Sequence, residues 1–432
     1  MMTMLSMLTS QKKTKFIKIL GITLGFCCLI SLTGCSSSEK NDEPKQPTSN
    51  NVQSGSNEYS NTKVKTTMQT PLFILDNEKL VDAGLLEPNV YLDIAEGDAI
   101  QGAIPLKDTG WYVKQSDVTN DGRWFKNQTH LVPFAEAITT NSTYRIEDDF
   151  GNLLGTSSSS NIYQVYVKPS SEDPRYGVLI QNKIYFIPQS DVMEVMERAV
   201  ETPVPELATS IPVMMYHFFY DESKEETRKD VNYVEVNELR EQADYLVNNG
   251  FVSLTMREIE YFMEERAQVP VNSYGFTIDD GHESVYQYAY PILKEYGINA
   301  TMFIIGGWME PTLPYELWEM REEGIELQSH SFLMHQGGCK GMGHGGRLLC
   351  VGHDEGVADT VQSYEYVDNG FVYCYPFGDV NDNAIAIMKD SGTKLAFTTE
   401  FGKIQQGMDV LKLPRIRVTG GAGINQYINH LN

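Results

Sequence analysis

The sequence predicts an α/β protein in two parts, a β-rich domain followed by a distorted parallel (β/α) barrel. From residue 211 to residue 432, apolar runs of strand length alternate with amphipathic segments of helical spacing, and this alternation predicts the barrel. Within residues 67–200, short alternating apolar runs are broken by turn residues, which predicts the β-rich domain. At 432 residues the chain is long enough for each part to have its own core.

The N-terminal segment has the layout of a secretory signal. Residues 11–18 (QKKTKFIK) are basic, an apolar run follows, and Leu32-Thr33-Gly34-Cys35 resembles a bacterial lipobox. We therefore expect residues 1–34 to be a signal peptide and Cys35 to carry a lipid, with a short transmembrane anchor as the alternative. This predicts an extracytoplasmic lipoprotein attached to the cell membrane. Residues 35–66, which include Cys35, are polar enough to predict a disordered tether.

The acidic composition excludes one class of partner. The formal net charge of the whole chain is −24, and it becomes −28 once a signal peptide with four lysines and no acidic residue is removed. A surface of this sign repels nucleic acids and other anionic polymers, so we expect no nucleic-acid partner. A neutral or cationic substrate suits it better.

The β-rich domain contains a weak internal repeat. WYVKQSDV (111–118) is similar to YFIPQSDV (185–192), at an offset of 74 residues. Two tandem SH3-like units are one interpretation, and one β-rich domain with a chance match is the alternative. Residues 201–210 (ETPVPELATS) are predicted to be a linker to the barrel.

The barrel elements can be placed in order along the chain. The predicted helices are 236–249, 284–296 and 315–323, and Pro291 in the second of them predicts a kink or a late helix start. The predicted strands are IPVMMYH (211–217), GFTIDDG (275–281), INATMFII (298–305), IELQSHS (325–331) and FVYCYPFG (371–378). The carboxyl ends of parallel barrel strands meet at one face, so the polar residues that follow these strands are candidates for a site.

Two adjacent carboxylates, Asp279 and Asp280, end the second of these strands. Like charges this close repel, and burying either is costly unless a cation or hydrogen-bond donors compensate. His330 and His335 follow another strand, and two imidazoles with one carboxylate are the ligand set of a catalytic zinc-type site. A bound dication would neutralise one acid and leave the other free as a base.

These motifs resemble those of the carbohydrate esterase family 4 polysaccharide deacetylases, which have a NodB homology domain. The resemblance covers about residues 211–420. TIDDG is similar to T-F-D-D-G of that family, HSFLMH to a longer-spaced form of H-[ST]-x-H, and YPFG (375–378) to the end of R-x-P-Y-G. The Tyr216-His217 pair makes the resemblance closest to the poly-N-acetylglucosamine deacetylase branch.

The resemblance implies a role for each site residue. Asp280, His330 and His335 would hold one divalent metal ion, with zinc expected first and cobalt, nickel or iron as alternatives. Asp279 would be the general base that activates a metal-bound water for attack on the acetamide carbonyl. The oxyanion would contact the metal and a backbone N–H near Phe377.

The chain departs from the family pattern in two places. The late L-x-H motif has no counterpart in VLKLPRIRV (410–418), so His217 is the candidate general acid; its alternative is a core histidine. Tyr373 stands where the family has the arginine that orients the base, so the motif supplies no residue to position Asp279. Tyr375 and Phe377 are the candidate contacts to substrate or oxyanion.

The resemblance implies metal-dependent hydrolysis of N-acetyl groups in a cell-wall or extracellular polysaccharide that contains N-acetylglucosamine. Peptidoglycan and poly-N-acetylglucosamine are the expected substrate types. Two alternatives stay open: a wall-glycan-binding lipoprotein without activity, and an O-acetyl esterase on the same fold.

Three further pairs of residues have candidate roles. Cys339 and Cys350 could form a disulfide that closes a glycine-rich loop (337–350) in an oxidising compartment. His344 and His353 could be extra ligands, although loop or substrate-contact roles are favoured. Trp308 and Trp318 could stack on sugars, with core packing as the alternative.

Overall fold

The computed structural model describes residues 63–120, 129–200, 204–309 and 313–432. The predicted signal peptide, Cys35 and residues up to 62 of the predicted tether lie outside the described residues. The last four residues of that tether, Lys63–Thr66, form a paired strand instead of a disordered segment. Among the residues that are described, no helix has the length and apolar character needed to span a membrane.

The N-terminal part consists of antiparallel strands, which agrees with the predicted β-rich domain. Its strands are β1 (Lys63–Thr66), β2 (Thr70–Asp76), β3 (Lys79–Leu86), β4 (Tyr91–Asp93), β5 (Ala103–Pro105), β6 (Trp111–Lys114), β7 (Val118–Asn120), β8 (Glu136–Thr140), β9 (Tyr144–Glu147), β10 (Leu153–Ser157), β11 (Ile162–Val167), β12 (Arg175–Ile180), β13 (Lys183–Pro188) and β14 (Val192–Glu197).

The strand plan of this part repeats. Strand β1 pairs with β4 and β7, and β8 pairs in the same way with β11 and β14. Strand β2 pairs with β3 and β6, and β9 pairs with β10 and β13. The two QSD segments both form a 3-10 turn between strands, at Gln115–Asp117 and Gln189–Asp191. Because the two halves share one apolar cluster, they pack as a single body, and their assignment to the SH3-like class stays a prediction.

The C-terminal part is a closed parallel barrel, as the sequence predicts. Seven strands close the ring in the order β16, β26, β24, β23, β22, β21, β20, and β20 pairs back to β16. The strands of this part are β15 (Ser210–Ile211), β16 (Val213–Tyr216), β17 (Phe218–Tyr220), β18 (Tyr233–Glu235), β19 (Val252–Leu254), β20 (Ser273–Ile278), β21 (Thr301–Ile304), β22 (Glu326–Ser329), β23 (Val372–Cys374), β24 (Leu395–Phe401), β25 (Ile404–Gln405) and β26 (Leu413–Arg417).

Helices cover the outside of the barrel. They are α1 (Val236–Asn248), α2 (Met256–Met263), α3 (Tyr290–Tyr296), α4 (Tyr315–Glu322), α5 (His353–Tyr366), α6 (Asp382–Asp390) and α7 (Ile424–Leu431). The late start predicted from Pro291 is found, because a π-helical turn (Val285–Ala289) precedes α3 and the proline lies in the first turn of that helix. There its missing N–H breaks no helical hydrogen bond.

The two parts pack against each other at the amino-terminal end of the barrel strands. Leu131, Val167 and Phe186 of the β-rich part belong to the same apolar cluster as α2 and the inner barrel residues. Bridges between Val132 and Gln268 and between Val167 and Ala267 add backbone contacts. This arrangement leaves the opposite end of the barrel, where the strands finish, open for a site.

Candidate active site

The candidate site lies at the carboxyl end of the barrel strands. Strand β20 ends at Ile278, directly before Asp279 and Asp280, and β22 ends one residue before His330. Asp280 has a φ of 76° and Gly281 a φ of 75°, so the chain turns sharply as it leaves the strand. The two adjacent carboxylates consequently point to different partners.

Asp280, His330 and His335 come together as the sequence predicts. Oδ1 of Asp280 lies 3.4 Å from Nε2 of His330 and 3.6 Å from Nε2 of His335, and the three ligand atoms all lie within 4.8 Å of one another. Around a tetrahedral zinc, with bonds of about 2.0–2.1 Å, neighbouring ligand atoms are about 3.3 Å apart. The three side chains therefore fit one metal ion with little movement.

The hydrogen bonding of His330 also suits a ligand. Its Nδ1 lies 2.7 Å from the carbonyl oxygen of Cys374, which can only accept, so Nδ1 carries the proton and donates it. Its Nε2 faces Asp280. Burial alone would lower the pKa of His330, but Cys374 and Asp280 outweigh it and hold the pKa well above its ordinary value, so a bound cation would take the place of the Nε2 proton. Burial and the neighbouring His330 lower the pKa of His335 to about 4, so the His335 ring is neutral.

Asp279 is paired with an arginine rather than with His330 or His335. Its Oδ1 and Oδ2 accept from the two terminal nitrogens of Arg415 at 2.8 Å and 2.7 Å, and both residues are almost fully buried, at 2% and 0% exposure. Burial alone would raise the pKa of Asp279, but the charge and hydrogen bonds of Arg415 outweigh it and hold the pKa below its ordinary range. Asp279 is thus ionised and held in one orientation.

Arg415 supplies the guanidinium that the sequence lacks at the position of Tyr373. Tyr373, which stands at the position of the expected arginine, is fully buried in the cluster behind the site. The guanidinium comes instead from β26, which lies beside β16 in the barrel. It also donates to Thr277 Oγ1 at 3.1 Å and lies near the Phe303 and Phe397 rings. Sequence reasoning missed it, although an arginine inside a strand-like run (LPRIR) is a signal that a buried anion must be nearby.

His217 lies beside Asp279, directly after β16. Its Nε2 is 3.9 Å from Oδ2 of Asp279, and its side chain is mostly buried. Burial lowers the pKa of His217, and the two aspartates only partly oppose this effect. The ring is therefore neutral near pH 7 and close enough to Asp279 to exchange a proton after a small movement.

The two residues predicted to contact substrate or oxyanion have different environments. The Tyr375 side chain is buried, and its hydroxyl donates to the Leu411 carbonyl at 2.8 Å, so this side chain faces away from the barrel mouth. Phe377 is 39% exposed and has a φ of 61° within a short 3-10 turn. Its ring centroid lies 4.6 Å from that of His335.

The glycine-rich loop (337–350) is held in position by a disulfide and by hydrogen bonds to Asp379. Cys339 and Cys350 form a disulfide, with Cα atoms 5.8 Å apart. Asp379 accepts from the backbone N–H groups of His344 and Gly346, both at 2.8 Å. His344 also contacts Asp379 through its ring, and His353 pairs with Asp390 on α6, so neither histidine joins the cluster of Asp280, His330 and His335.

The two tryptophans also differ. Trp308 is 64% exposed, and its ring contacts the imidazole of His335 at a centroid distance of 5.3 Å. Trp318 lies on α4 with its ring against Arg321. Only Trp308 borders the candidate site.

A comparison with protein families matches residues 266–396 to the polysaccharide deacetylase family. Asp279, Asp280, His330 and His335 all lie inside the matched range, whereas His217 and Arg415 lie outside it. The match agrees with the resemblance found in the motifs, and it identifies a hydrolase domain of the polysaccharide deacetylase type.

The chain is also similar to individual proteins and solved structures. The chain is 27% identical over 219 residues to the poly-β-1,6-N-acetyl-D-glucosamine N-deacetylase of Staphylococcus aureus (strain MRSA252), covering 48% of this chain and 73% of that protein. Among solved structures, the deacetylase PplD of Streptococcus pyogenes in complex with acetate is similar, with 23% identity, 52% and 99% coverage and a TM-score of 0.45. IcaB from Ammonifex degensii has 20% identity, 53% and 100% coverage and a TM-score of 0.45.

Proposed function

We propose that this chain, whose barrel contains a polysaccharide deacetylase domain, is a metal-dependent N-deacetylase of a polysaccharide that contains N-acetylglucosamine. The observation that carries the proposal is the convergence of Asp280, His330 and His335 beside an ionised, arginine-paired Asp279. We further propose that the protein works outside the cytoplasm as a lipoprotein anchored through Cys35, on peptidoglycan or a poly-N-acetylglucosamine polymer.

Three side chains would hold the metal. Asp280 supplies one carboxylate oxygen, and His330 and His335 each supply Nε2. A divalent cation bound there would act as a Lewis acid toward the acetamide carbonyl and lower the pKa of water, with zinc as the first candidate. The hydrogen bond from His330 Nδ1 to the Cys374 carbonyl holds that ligand ring in place.

Asp279 would act as the general base. Its carboxylate is kept ionised by Arg415, so it can accept a proton from the attacking water at Oδ2. The pairing makes Asp279 a weak base, and a weak base passes its proton readily to a stronger one. His217, whose Nε2 is 3.9 Å from Oδ2, is the stronger base beside it.

His217 would then act as the general acid. Collapse of the tetrahedral intermediate releases an amine only if the leaving nitrogen receives a proton. A neutral His217 can take the proton from Asp279 and donate it to that nitrogen, so one proton serves both steps. The half-exposed Phe377, next to His335, lies in the turn whose backbone N–H is the candidate oxyanion contact.

The test is acetate release by the purified protein loaded with zinc, measured on N-acetylglucosamine oligomers, β-1,6-linked polymer and peptidoglycan. We expect acetate from at least one glycan and a loss of at least about 100-fold in kcat for Asp279→Asn, a typical size for the loss of a general base. Asp279→Asn should keep its metal, because the three ligands are unchanged.

A histidine pair gives the matched control. His335→Ala should lose both metal and activity, whereas His353→Ala should retain both, because His353 pairs with Asp390 on the outer helices. An acetyl ester assayed beside the acetamides distinguishes amide from ester hydrolysis. Absence of acetate from every glycan with fully metallated protein would contradict the proposal.

A further inference from the structure

The mouth of the candidate site carries three exposed apolar side chains. Trp308 is 64% exposed, Leu333 55% and Phe377 39%. Single apolar residues on a surface are common and need no explanation. These three, however, follow three consecutive barrel strands, β21, β22 and β23, at the end where the metal ligands lie.

Two of the three side chains flank a metal ligand. The Trp308 ring meets the His335 imidazole edge-on, with centroids 5.3 Å apart, and the Phe377 ring approaches the same imidazole at 4.6 Å. Strand β22, which leads to His335, lies between β21 and β23 in the barrel. Trp308 and Phe377 therefore reach His335 from the strands on its two sides.

The backbone that carries Trp308 is held firmly although the ring is exposed. The N–H of Gly306 donates to Ser331 at 3.1 Å, and the N–H of Gly307 donates to Phe332 at 2.8 Å. A Cβ on Gly307 would lie 2.5 Å from a Leu333 methyl, so glycine is required for this close approach. The turn is thus fixed against the segment that leads to His335.

The other side of this segment is fixed as well. Buried Asp359 of α5 accepts from the N–H groups of Phe332 and Leu333 at 3.0 Å and 2.7 Å. On the third strand, Phe377 is held at a φ of 61°, a backbone conformation that non-glycine residues adopt mainly where the surrounding structure enforces it. Rings whose backbone is already fixed lose little conformational entropy when a ligand stacks on them.

We propose that Trp308 and Phe377 are stacking platforms for the sugar rings on either side of the residue that is deacetylated. A pyranose ring presents an apolar C–H face, which is attracted to the negative face of an aromatic ring. None of the three exposed side chains is charged, so this part of the mouth suits a neutral glycan. The substrate is then an extended pyranose chain that is attacked internally, rather than a single sugar.

This inference rests on the proposed function and extends it to the form of the substrate. The test is kcat/KM for acetate release from N-acetylglucosamine oligomers of two to six residues, with wild-type protein, Trp308→Ala, Trp308→Phe and Trp318→Ala. We expect the wild-type kcat/KM to rise with length. Trp308→Ala should reduce the hexamer-to-dimer ratio of kcat/KM by at least about fivefold, the size of one lost aromatic contact.

The other two variants provide the controls. Trp308→Phe retains an aromatic face and should recover most of the ratio. Trp318→Ala should leave the ratio unchanged, because the Trp318 ring contacts Arg321 and none of the metal ligands. An unchanged ratio in Trp308→Ala, with an unchanged melting temperature, would overturn the stacking proposal.

Calorimetry separates this proposal from the proposed function. If no oligomer releases acetate, the proposed function fails, and hexamer binding still decides the stacking proposal. Hexamer binding that is weakened in Trp308→Ala and retained in Trp318→Ala supports the platforms. Equal binding by Trp308→Ala and wild type, or no binding by wild type, rejects them.

Discussion

Replacing Arg415 with methionine tests how the candidate base is held. Arg415 and Asp279 form two short hydrogen bonds, of 2.8 Å and 2.7 Å, with both side chains almost fully excluded from water. Removing one partner of a buried ion pair typically costs about 3–5 kcal/mol, because the remaining charge has lost its compensation. Methionine is apolar and of similar length, so it can occupy the space beside Phe303 and Phe397.

The loss should be visible in both stability and pH dependence. In the native chain the pKa of Asp279 is held below its ordinary value, about 3.9, so the pair stabilises the fold above that pH and the stabilisation is lost as the pH falls below it. Without Arg415, burial raises the pKa of Asp279 above its unfolded value. The free energy of unfolding should then fall as the pH rises, the opposite sign to the native pair.

The measurement is urea unfolding from pH 4 to pH 8, with acetate release measured on the same preparations. Arg417→Met is the matched control, since Arg417 lies two residues along the same strand but is only half-buried and bonds to Asn232. Its cost should be about 1 kcal/mol or less. The double variant Asp279→Asn/Arg415→Met should be more stable than Arg415→Met alone. If Arg415→Met kept the unfolding free energy within about 1 kcal/mol and retained acetate release, the argument from the buried pair would be wrong.

Three further predictions concern the metal, the buried Glu326 at the start of β22, and the disulfide of the glycine-rich loop. Chelation should abolish acetate release and zinc should restore it, while the far-ultraviolet circular dichroism stays unchanged because the barrel core does not depend on the ion. Burial raises the pKa of Glu326 to about 7 despite hydrogen bonds from Met256 and Thr301, so the folded chain holds an extra proton between about pH 4.5 and 7. Unfolding free energy should therefore fall by about 1–3 kcal/mol across that window in the wild type and stay flatter in Glu326→Gln. Replacing Cys339 and Cys350 with serine should lower the unfolding free energy by about 2–3 kcal/mol without loss of metal, which urea unfolding and metal analysis would check.

The sequence was sufficient to predict the barrel and the convergence of Asp280, His330 and His335. The ends of parallel strands meet by topology, so acids after GFTI and histidines after IELQS were expected to converge, and they do. Arg415 could not be predicted in the same way, because its role depends on which strand closes the ring. Strand β26 lies next to β16 although some 200 residues separate them, and no local pattern encodes that neighbour. The environment of Tyr375 was missed for a related reason, since a motif gives its position but not the side of the strand that it faces.

The two adjacent carboxylates are compensated separately, and this explains how neighbouring acids can end a buried strand. The turn at Asp280 and Gly281 directs Asp279 into the barrel, toward Arg415, and Asp280 outward to the two imidazoles. Each acid therefore has its own partner, and the repulsion between them is offset on both sides. Because the partners of Asp279 and Asp280 differ, the electrostatic environments of the two acids differ as well. Burial would raise the pKa of both acids, but Arg415 holds the pKa of Asp279 low and His330 lowers that of Asp280. Under the proposed function, two consecutive residues would thus supply the general base, Asp279, and one ligand of the metal site, Asp280.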